Sequence, residues 1–262
     1  MSTKSPRATV VEPEDSTGGA RGLKHRELGA ADYDVVLALQ QGLRQDLIEG
    51  RGEDVLLTLE HRPPVLTGGR RSAASDLLVA PEELARRGVL LRNIERGGSW
   101  TWHGPGQLVA YPIVALSHWG IRVPAFVAGL ESAMLELTDW ALNKAGVDIE
   151  GSGWKLGRRC GFPGAWLQRP NGNFAKVGAV GVHFRRFVSI HGLAWNLDPD
   201  PWGFELIQPC GLTDEVTSVR RLCAELDGDS ERLPSRLQAG QQLAATLPQW
   251  WLDRRPACRV FE

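Results

Sequence analysis

The chain has 262 residues, 42% of them hydrophobic and 23% charged, which is the composition of a globular protein and excludes collagen, coiled coil and a wholly disordered chain. Thirty Lys and Arg against 31 Asp and Glu leave a net charge of -1, so a general nucleic-acid binder, which needs a positive excess, is excluded too. No run of about 18 apolar residues is present to span a membrane.

Residues 1–22 carry Ser, Thr, Pro, Gly and mixed charges with little to bury. They are expected to form a disordered tail without the apolar segment of a secretory signal, which points to a cytoplasmic protein. From Leu23 to Glu262 the sequence reads as one continuous domain, with no linker, repeat or low-complexity tract. Four cysteines (Cys160, Cys210, Cys223, Cys258) lie far apart without a CxxC pair, so no disulfide framework is expected.

The first strong element is a helix over Ala31 to Gly50, with Val35, Leu39, Leu43 and Leu47 four residues apart. Val55 to Leu59 is an apolar run suited to a buried strand, ended by Pro63-Pro64. Pro81-Glu82-Glu83-Leu84 opens a short helix, with proline in its first turn. Val89 to Ile94 predicts a strand, then a glycine-rich turn, then a strand over Leu108 to Val114. Pro124 to Ala145 is a second helix whose stripe is Phe126, Val127, Leu130, Met134, Leu137 and Ala141. Ala165 to Gln168, Val177 to Phe184 and Phe187 to Leu197 predict strands, the last two joined as a hairpin around Arg185-Arg186. Leu237 to Leu252 closes the chain as a helix. Strands grouped between helices argue for α+β with a mixed sheet flanked by helices.

Four segments carry groups suited to chemistry. Arg96-Gly97-Gly98-Ser99-Trp100-Thr101-Trp102-His103-Gly104-Pro105-Gly106-Gln107 places four glycines beside a cation, a titratable ring and an amide. Lys176 to Val182 is a strand with three small residues at 178, 179 and 181, as where a ligand or another backbone passes close by. Ser189 to Asn196 sets His191 among apolar residues, a context that more often holds a hydrogen-bonded core histidine. Gln208 to Thr213 puts the Cys210 thiol in a Pro-Cys-Gly turn; most free cysteines are inert and buried. No two of His103, His183, His191, Cys160 and Cys210 have a metal-ligand spacing, and there is neither a Walker A ending nor a G-x-S-x-G turn.

Together these segments resemble the lipoyl(octanoyl) transferase (LipB) family, over roughly Leu57 to Ser218. The motifs are Leu57-Thr58-Leu59-Glu60-His61, RGGSWTWHGPGQLVAYPI at 96–113, Pro163-Gly164-Ala165-Trp166, KVGAVGV at 176–182, HGLAWN at 191–196 and PCGLTDEVTS at 209–218. Trp102 stands where tyrosine is usual, Gly178 where alanine is, and Leu66 where an aromatic is common; the 169–175 stretch is irregular beside the family. A larger ring at 102 is expected to reshape the acyl pocket.

The resemblance implies the fold shared by biotin and lipoate protein ligases, and an acyltransferase acting in protein lipoylation and lipoate biosynthesis. The donor it implies is octanoyl-acyl carrier protein. The implied acceptors are apo lipoyl domains of 2-oxoacid dehydrogenase acyltransferase subunits and the H protein of glycine cleavage. No cofactor and no metal are implied. Cys210 is expected to carry the acyl group as a thioester, Lys176 to activate the thiol, and His103 to be a third polar member of the site. The matching substrate-binding stretches are Arg96, Gly97, Gly98, Ser99, Trp100, Thr101, Trp102 and His103, then Ala179, Val180 and Gly181, then Gly192, Leu193 and Ala194. Amides of Gly104 to Gly106, or of Gly211, are the candidates for binding the oxyanion. Arg158, Arg159, Arg185 and Arg186 are candidates for meeting an acidic carrier protein. Two other readings are an ATP-dependent lipoate–protein ligase of the same fold, for which no Gly-Arg-Gly-Arg loop is present, and a non-catalytic acyl-carrier-binding module.

Overall fold

The computed structural model describes residues 22–208, 214–252 and 259–261. The expectation of a tail over 1–22 thus falls outside the described residues save for Gly22, as do Cys210, Gly211 and Cys258.

Twelve strands and seven α-helices succeed one another among these residues. Strand β1 (Lys24–Ala31), which shows no clean alternation of burial, precedes helix α1 (Tyr33–Ile48). Asp32 caps that helix by accepting from the amides of Asp34 and Val35 at 2.9 and 3.2 Å, which satisfies two donors the first turn leaves open. The packed face of α1 runs through Val36, Leu39, Leu43 and Leu47. Val35, expected in the stripe, is 67% exposed, because adjacent helical positions cannot both face the sheet.

Next come β2 (Val55–His61), β3 (Val65–Gly68), α2 (Pro81–Arg86), β4 (Leu90–Asn93), β5 (Trp100–His103) and β6 (Gln107–Ile113). Part of the expected glycine-rich turn is therefore strand: β3 pairs parallel with β4 and antiparallel with β5 in a separate three-stranded sheet. After the short α3 (Leu116–Trp119) the long α4 (Val123–Lys144) buries Phe126, Leu130, Met134, Leu137 and Ala141. Then follow β7 (Lys155–Arg159), β8 (Phe162–Gln168), β9 (Phe174–Arg185) and β10 (Val188–Asn196). Arg186 and Phe187 turn the β9–β10 hairpin with φ of 49° and 60°, the positive pair that matches strand twist. Helix α5 (Trp202–Glu205), strand β11 (Glu215–Val216), helices α6 (Val219–Glu225) and α7 (Arg236–Leu252), and strand β12 (Val260–Phe261) complete the order.

The main sheet runs β1-β2-β6-β10-β9-β8-β7-β12 with β11 added against β9. It is mixed: β1–β2, β7–β12 and β9–β11 are parallel and the remaining pairs antiparallel. Alternation along the central strands feeds two cores. Leu56, Leu108, Leu193 and Trp195 face α4 and α7, while Leu57, Val109, Tyr111 and Ile190 face α1. Each fully buried leucine contributes about 2 kcal/mol. On the first face the Trp251 ring of α7 stacks on Phe126 with centroids 5.1 Å apart, seated where a Cβ on Gly129 would stand 2.4 Å from its indole nitrogen. A third core, with Leu66, Leu84, Trp100, Trp102 and Ile207, belongs to the small sheet. The α+β expectation with a mixed, helix-flanked sheet is met.

One irregularity matters for the site. Ala165 pairs with Gly178 but Trp166 with Lys176, so Val177 is an extra residue in β9. Such a bulge re-aims the neighbouring side chains.

Candidate active site

A cavity of about 790 Å³ is walled by β9 and β10 on one side and by residues 96–99 and β5 on the other. That volume suits one small ligand or lipid chain. Of the residues expected to bind substrate, Arg96, Gly97, Gly98, Ser99, Trp100, Thr101, His103, Ala179, Val180, Gly181, Gly192, Leu193 and Ala194 line it, and Lys176 lies in its wall.

Trp102 does not line it. Its indole is packed 5.4 Å from the Phe204 ring and against Gly104 and Gly203, where an added Cβ would come within 2.3 and 2.2 Å of it. The expected effect of this tryptophan on the acyl pocket is thereby corrected; it fills the third core instead. Gly104 to Gly106 also lie off the cavity wall. The Gly106 amide donates to Glu60 Oε2 at 2.7 Å and Pro105 has no N–H, so neither of these two residues offers a donor to an oxyanion.

Arg96 is 6% exposed and acts as a clamp. It donates to Thr67 O at 2.7 Å, Thr67 Oγ1 at 2.9 Å and Gly97 O at 2.9 Å. Gly97 N donates to Val182 O at 3.2 Å, which fastens the loop to β9. Gly181 makes this approach possible, since a Cβ there would stand 2.9 Å from Arg96 Cδ.

His103 begins a relay. Its Nδ1 lies 2.8 Å from Gln107 Oε1, and the Gln107 amide nitrogen donates to Asn196 Oδ1 at 2.9 Å and Trp102 O at 3.3 Å. The oxygen of Gln107 thus faces the ring and only accepts, which puts the imidazole proton on Nδ1. Asn196 donates to Thr217 O at 3.0 Å, and Thr217 N to Lys176 O at 2.9 Å. Burial, helped by His61 and Arg96, pushes His103 down to about 3, so it is neutral at working pH. His61 and His191 are held down to about 4 and about 3 by the same cause. Tyr111 donates to His61 Nε2 at 2.9 Å, and His61 Nδ1 donates to Ala31 O at 3.2 Å. His191 takes φ of 60°, and its amide donates to Gln40 Oε1 at 2.8 Å.

Tyr33, Tyr111 and His191 also line the cavity, and sequence reasoning assigns none of them a role. His61 stands in a recognisable motif but carries no signal of its own beyond it; its partners come from Ala31 and Tyr111, 30 and 50 residues away.

Lys176 extends across Gly164 and over the Trp166 ring, its Nζ 5.0 Å from the centroid. Gly164 has φ of 146°, and a Cβ there would meet Gly178 O at 2.3 Å and Lys176 Cε at 2.7 Å. Only glycine leaves the lysine this path. Cys210 and Gly211 lie outside the described residues, but the chain on both sides is held at the cavity. Ile207 and Val216 line it, Gln208 N donates to Asp76 O at 2.8 Å, and Val216 pairs with Lys176. Of the other cysteines, Cys160 is exposed on the β7–β8 turn and Cys223 is buried, which pushes its thiol up.

The four expected docking arginines separate into two kinds. Arg158 lies 3.5 Å from Glu131, and Arg159 bonds Asp214 at 2.5 Å while its guanidinium covers Phe162, Trp166 and Phe174. Their side chains are 13% and 20% exposed, so both serve internal packing and the expectation of a docking role is corrected. Arg185 and Arg186 are exposed on the hairpin. Arg70 and Arg71, which sequence reasoning passed over, are exposed and line the cavity.

Comparison with known proteins places this geometry. Residues 32–232 match the lipoyl protein ligase A/B catalytic domain family. An octanoyltransferase of Chloroflexus aggregans is 39% identical over 228 residues, 87% of this chain and 94% of that protein. A mitochondrial octanoyltransferase of Arabidopsis thaliana is 36% identical over 228 residues, 87% of this chain and 88% of its own. A lipoate-protein ligase A crystal structure bound with ATP superposes with a TM-score of 0.55 at 12% identity, covering 92% of this chain and 90% of that one. A bipartite lipoate protein ligase from Thermoplasma acidophilum gives 0.55 at 12%, covering 92% and 88%. These two similarities concern the fold. Among the described residues no helix is long and apolar enough to cross a membrane.

Proposed function

The chain belongs to the octanoyltransferases of the lipoyl protein ligase A/B catalytic family and is an acyltransferase, and from that premise we propose that it moves an octanoyl group from acyl carrier protein to one lysine of an apo lipoyl domain through a thioester on Cys210. The acceptors are lipoyl domains of 2-oxoacid dehydrogenase acyltransferase subunits and the glycine cleavage H protein. The observation that carries the reading is the position of Lys176: in the wall of the cavity, its backbone paired with the strand that follows the segment containing Cys210.

The chemistry is a two-step relay. The Cys210 thiolate attacks the donor thioester; the new C–S bond forms as the old one breaks, and the carrier's thiolate leaves, taking the proton of the Lys176 ammonium. The acceptor amine then attacks the enzyme thioester, the C–N bond forms, the Cys210 sulfur leaves, and the amine's proton goes to Lys176. A free thiol with pKa about 8.5 is only a few per cent thiolate at pH 7. An ammonium beside it stabilises the thiolate, and a tenfold gain in the thiolate-to-thiol ratio corresponds to about 1.4 kcal/mol of that attraction. The same lysine, once neutral, accepts the amine's proton. His103 is the third member, a fixed neutral ring whose Nδ1 is occupied by Gln107; it orients groups and does not titrate in the working range. The apolar wall of Val180, Val182, Leu193 and Ala194 holds the acyl chain away from water. No cofactor takes part. We place the reaction in the cytoplasm, carried out by residues 23–262 as one catalytic domain.

Incubation with octanoyl-acyl carrier protein should add one octanoyl mass to the protein, and Cys210→Ala should abolish the adduct. An undiminished adduct in Cys210→Ala overturns the thioester. Transfer that starts from free octanoate and needs ATP favours the ligase reading instead.

A further inference from the structure

Lys176 does not lie in its path unaided. The Gly164 backbone on which it rests is itself held from α4: Gly164 N donates to Glu131 Oε1 at 2.9 Å. Glu131 is 7% exposed on the largely apolar buried side of α4, and its second oxygen is 3.5 Å from Arg158 Nη1. A carboxylate in such a place is costly unless it has work and partners. Here the partners are an amide and a single arginine at long range, and the group they serve is the lysine.

We infer that Glu131 is a positioning residue for Lys176: it fixes the Gly164 backbone under the lysine, and its negative charge favours the ammonium over the amine. The inference rests on the role given to Lys176 above. The electrostatic coupling has support from the carboxyl itself. Burial holds Glu131 above the usual carboxylate range, and the Gly164 amide, Arg158 and the Lys176 ammonium pull it part of the way back. That attraction is reciprocal, so the carboxylate stabilises the charged lysine. Among the described residues, other charged groups stand near this place. Arg158 comes from β7 and opposes Glu131. Arg159, also from β7, shares the Trp166 ring with Lys176 but is neutralised by Asp214. From β11, Glu215 is engaged by Arg169 and Arg221. Glu131 is therefore the acidic group that α4 contributes to the field at the lysine, with Arg158 tempering it.

The consequence is a division of labour in the relay. A charged lysine helps form the thiolate; a neutral one accepts the amine's proton. By favouring the ammonium, Glu131 assists the first half and holds back the second at low pH. Replacing it with glutamine keeps an acceptor for Gly164 N and removes the charge. The lysine then releases its proton at lower pH.

The test isolates the second half. Acyl-enzyme is formed, freed of donor, and its discharge by an apo lipoyl domain is followed in single turnovers against pH. The acceptor amine is the same throughout, so a difference between variants belongs to the enzyme. Glu131→Gln should shift the acidic limb of discharge down by about half to one pH unit. Glu131→Ala, which also frees Gly164, should show the same shift with a plateau about tenfold lower. Superimposable limbs for the parent and Glu131→Gln overturn the inference while leaving the thioester reading standing. Failure of the parent to form acyl-enzyme overturns both.

Discussion

The two polar regions that border the cavity are built on opposite principles. Around His103 the hydrogen-bonded groups are neutral and dry, wired from Gln107 through Asn196 to the backbone at Thr217, with the clamped Arg96 guanidinium nearby. Around Lys176 they are charged, with Glu131, Arg158 and the Arg159–Asp214 pair packed on or near one aromatic ring. The first region holds shape, because neutral donors and acceptors fixed by partners do not respond to pH between 5 and 8. The second holds a proton balance, because each charge there changes the state of its neighbours. One site thus separates orientation from proton traffic.

The sharpest way to break the comparison is at Gly164. Gly164→Ala forces a side chain into φ of 146°, against the Gly178 carbonyl and the lysine. It should cost about 3 kcal/mol of stability in chemical unfolding and abolish acyl transfer. A normal unfolding midpoint with normal transfer would mean that the lysine does not take this path.

The neutral region predicts a different signature. His61, His103 and His191 are held at about 4, about 3 and about 3 in the folded chain, below the ordinary 6.5. Below pH 6.5 the unfolded chain takes up protons that the folded one refuses. Stability is therefore complete above that value and falls as pH drops toward 4, by up to about 1.4 kcal/mol per pH unit for each histidine. Urea unfolding at stepped pH should show this, and His103→Gln should make the slope shallower by one histidine's share. An unchanged slope would place His103 in water, not in a dry network.

The smallest effect separates the arginines. Arg159→Glu should lower the unfolding free energy by about 2 kcal/mol through lost packing and a broken ion pair. Arg185→Glu with Arg186→Glu should leave stability unchanged and raise KM for the acyl carrier protein about threefold at low salt, with the difference vanishing at high salt. Equal behaviour of the two variants would erase the distinction drawn from their burial.

Much of this was legible in the sequence, for identifiable reasons. Helices α1, α4 and α7 announce themselves by periodicity because each packs a stripe on a core, and strands β6, β9 and β10 by apolar or small-residue runs, because they lie inside the sheet between two cores. The hairpin at Arg185-Arg186 is there without a glycine. What escaped were elements defined by distant partners. β1 has no alternating pattern and exists because β2 pairs with it. β5 looks like turn until β3 supplies its ladder. The site followed the same division. Gly181 and Gly192 mark close approach, since a Cβ there would stand 2.9 Å from Arg96 Cδ and 2.2 Å from Ala110 O, and Gly98 takes φ of 92°. Glu131 reads as a polar break in an apolar helix, and only Gly164 and Arg158, 33 and 27 residues on, reveal what it does. Arg158 and Arg159 read as surface charge because nothing local names Glu131 or Asp214 as their partners.

The proposed thioester route depends most on the ammonium of Lys176 acting on the sulfur of Cys210. Alkylation of that cysteine, followed by peptide mass spectrometry so that exposed Cys160 is counted separately, gives its titration curve directly. Lys176→Met should move the midpoint up by about one pH unit or more, toward an ordinary thiol, while the Cys160 curve stays in place. Identical Cys210 curves in the parent and in Lys176→Met would contradict that coupling.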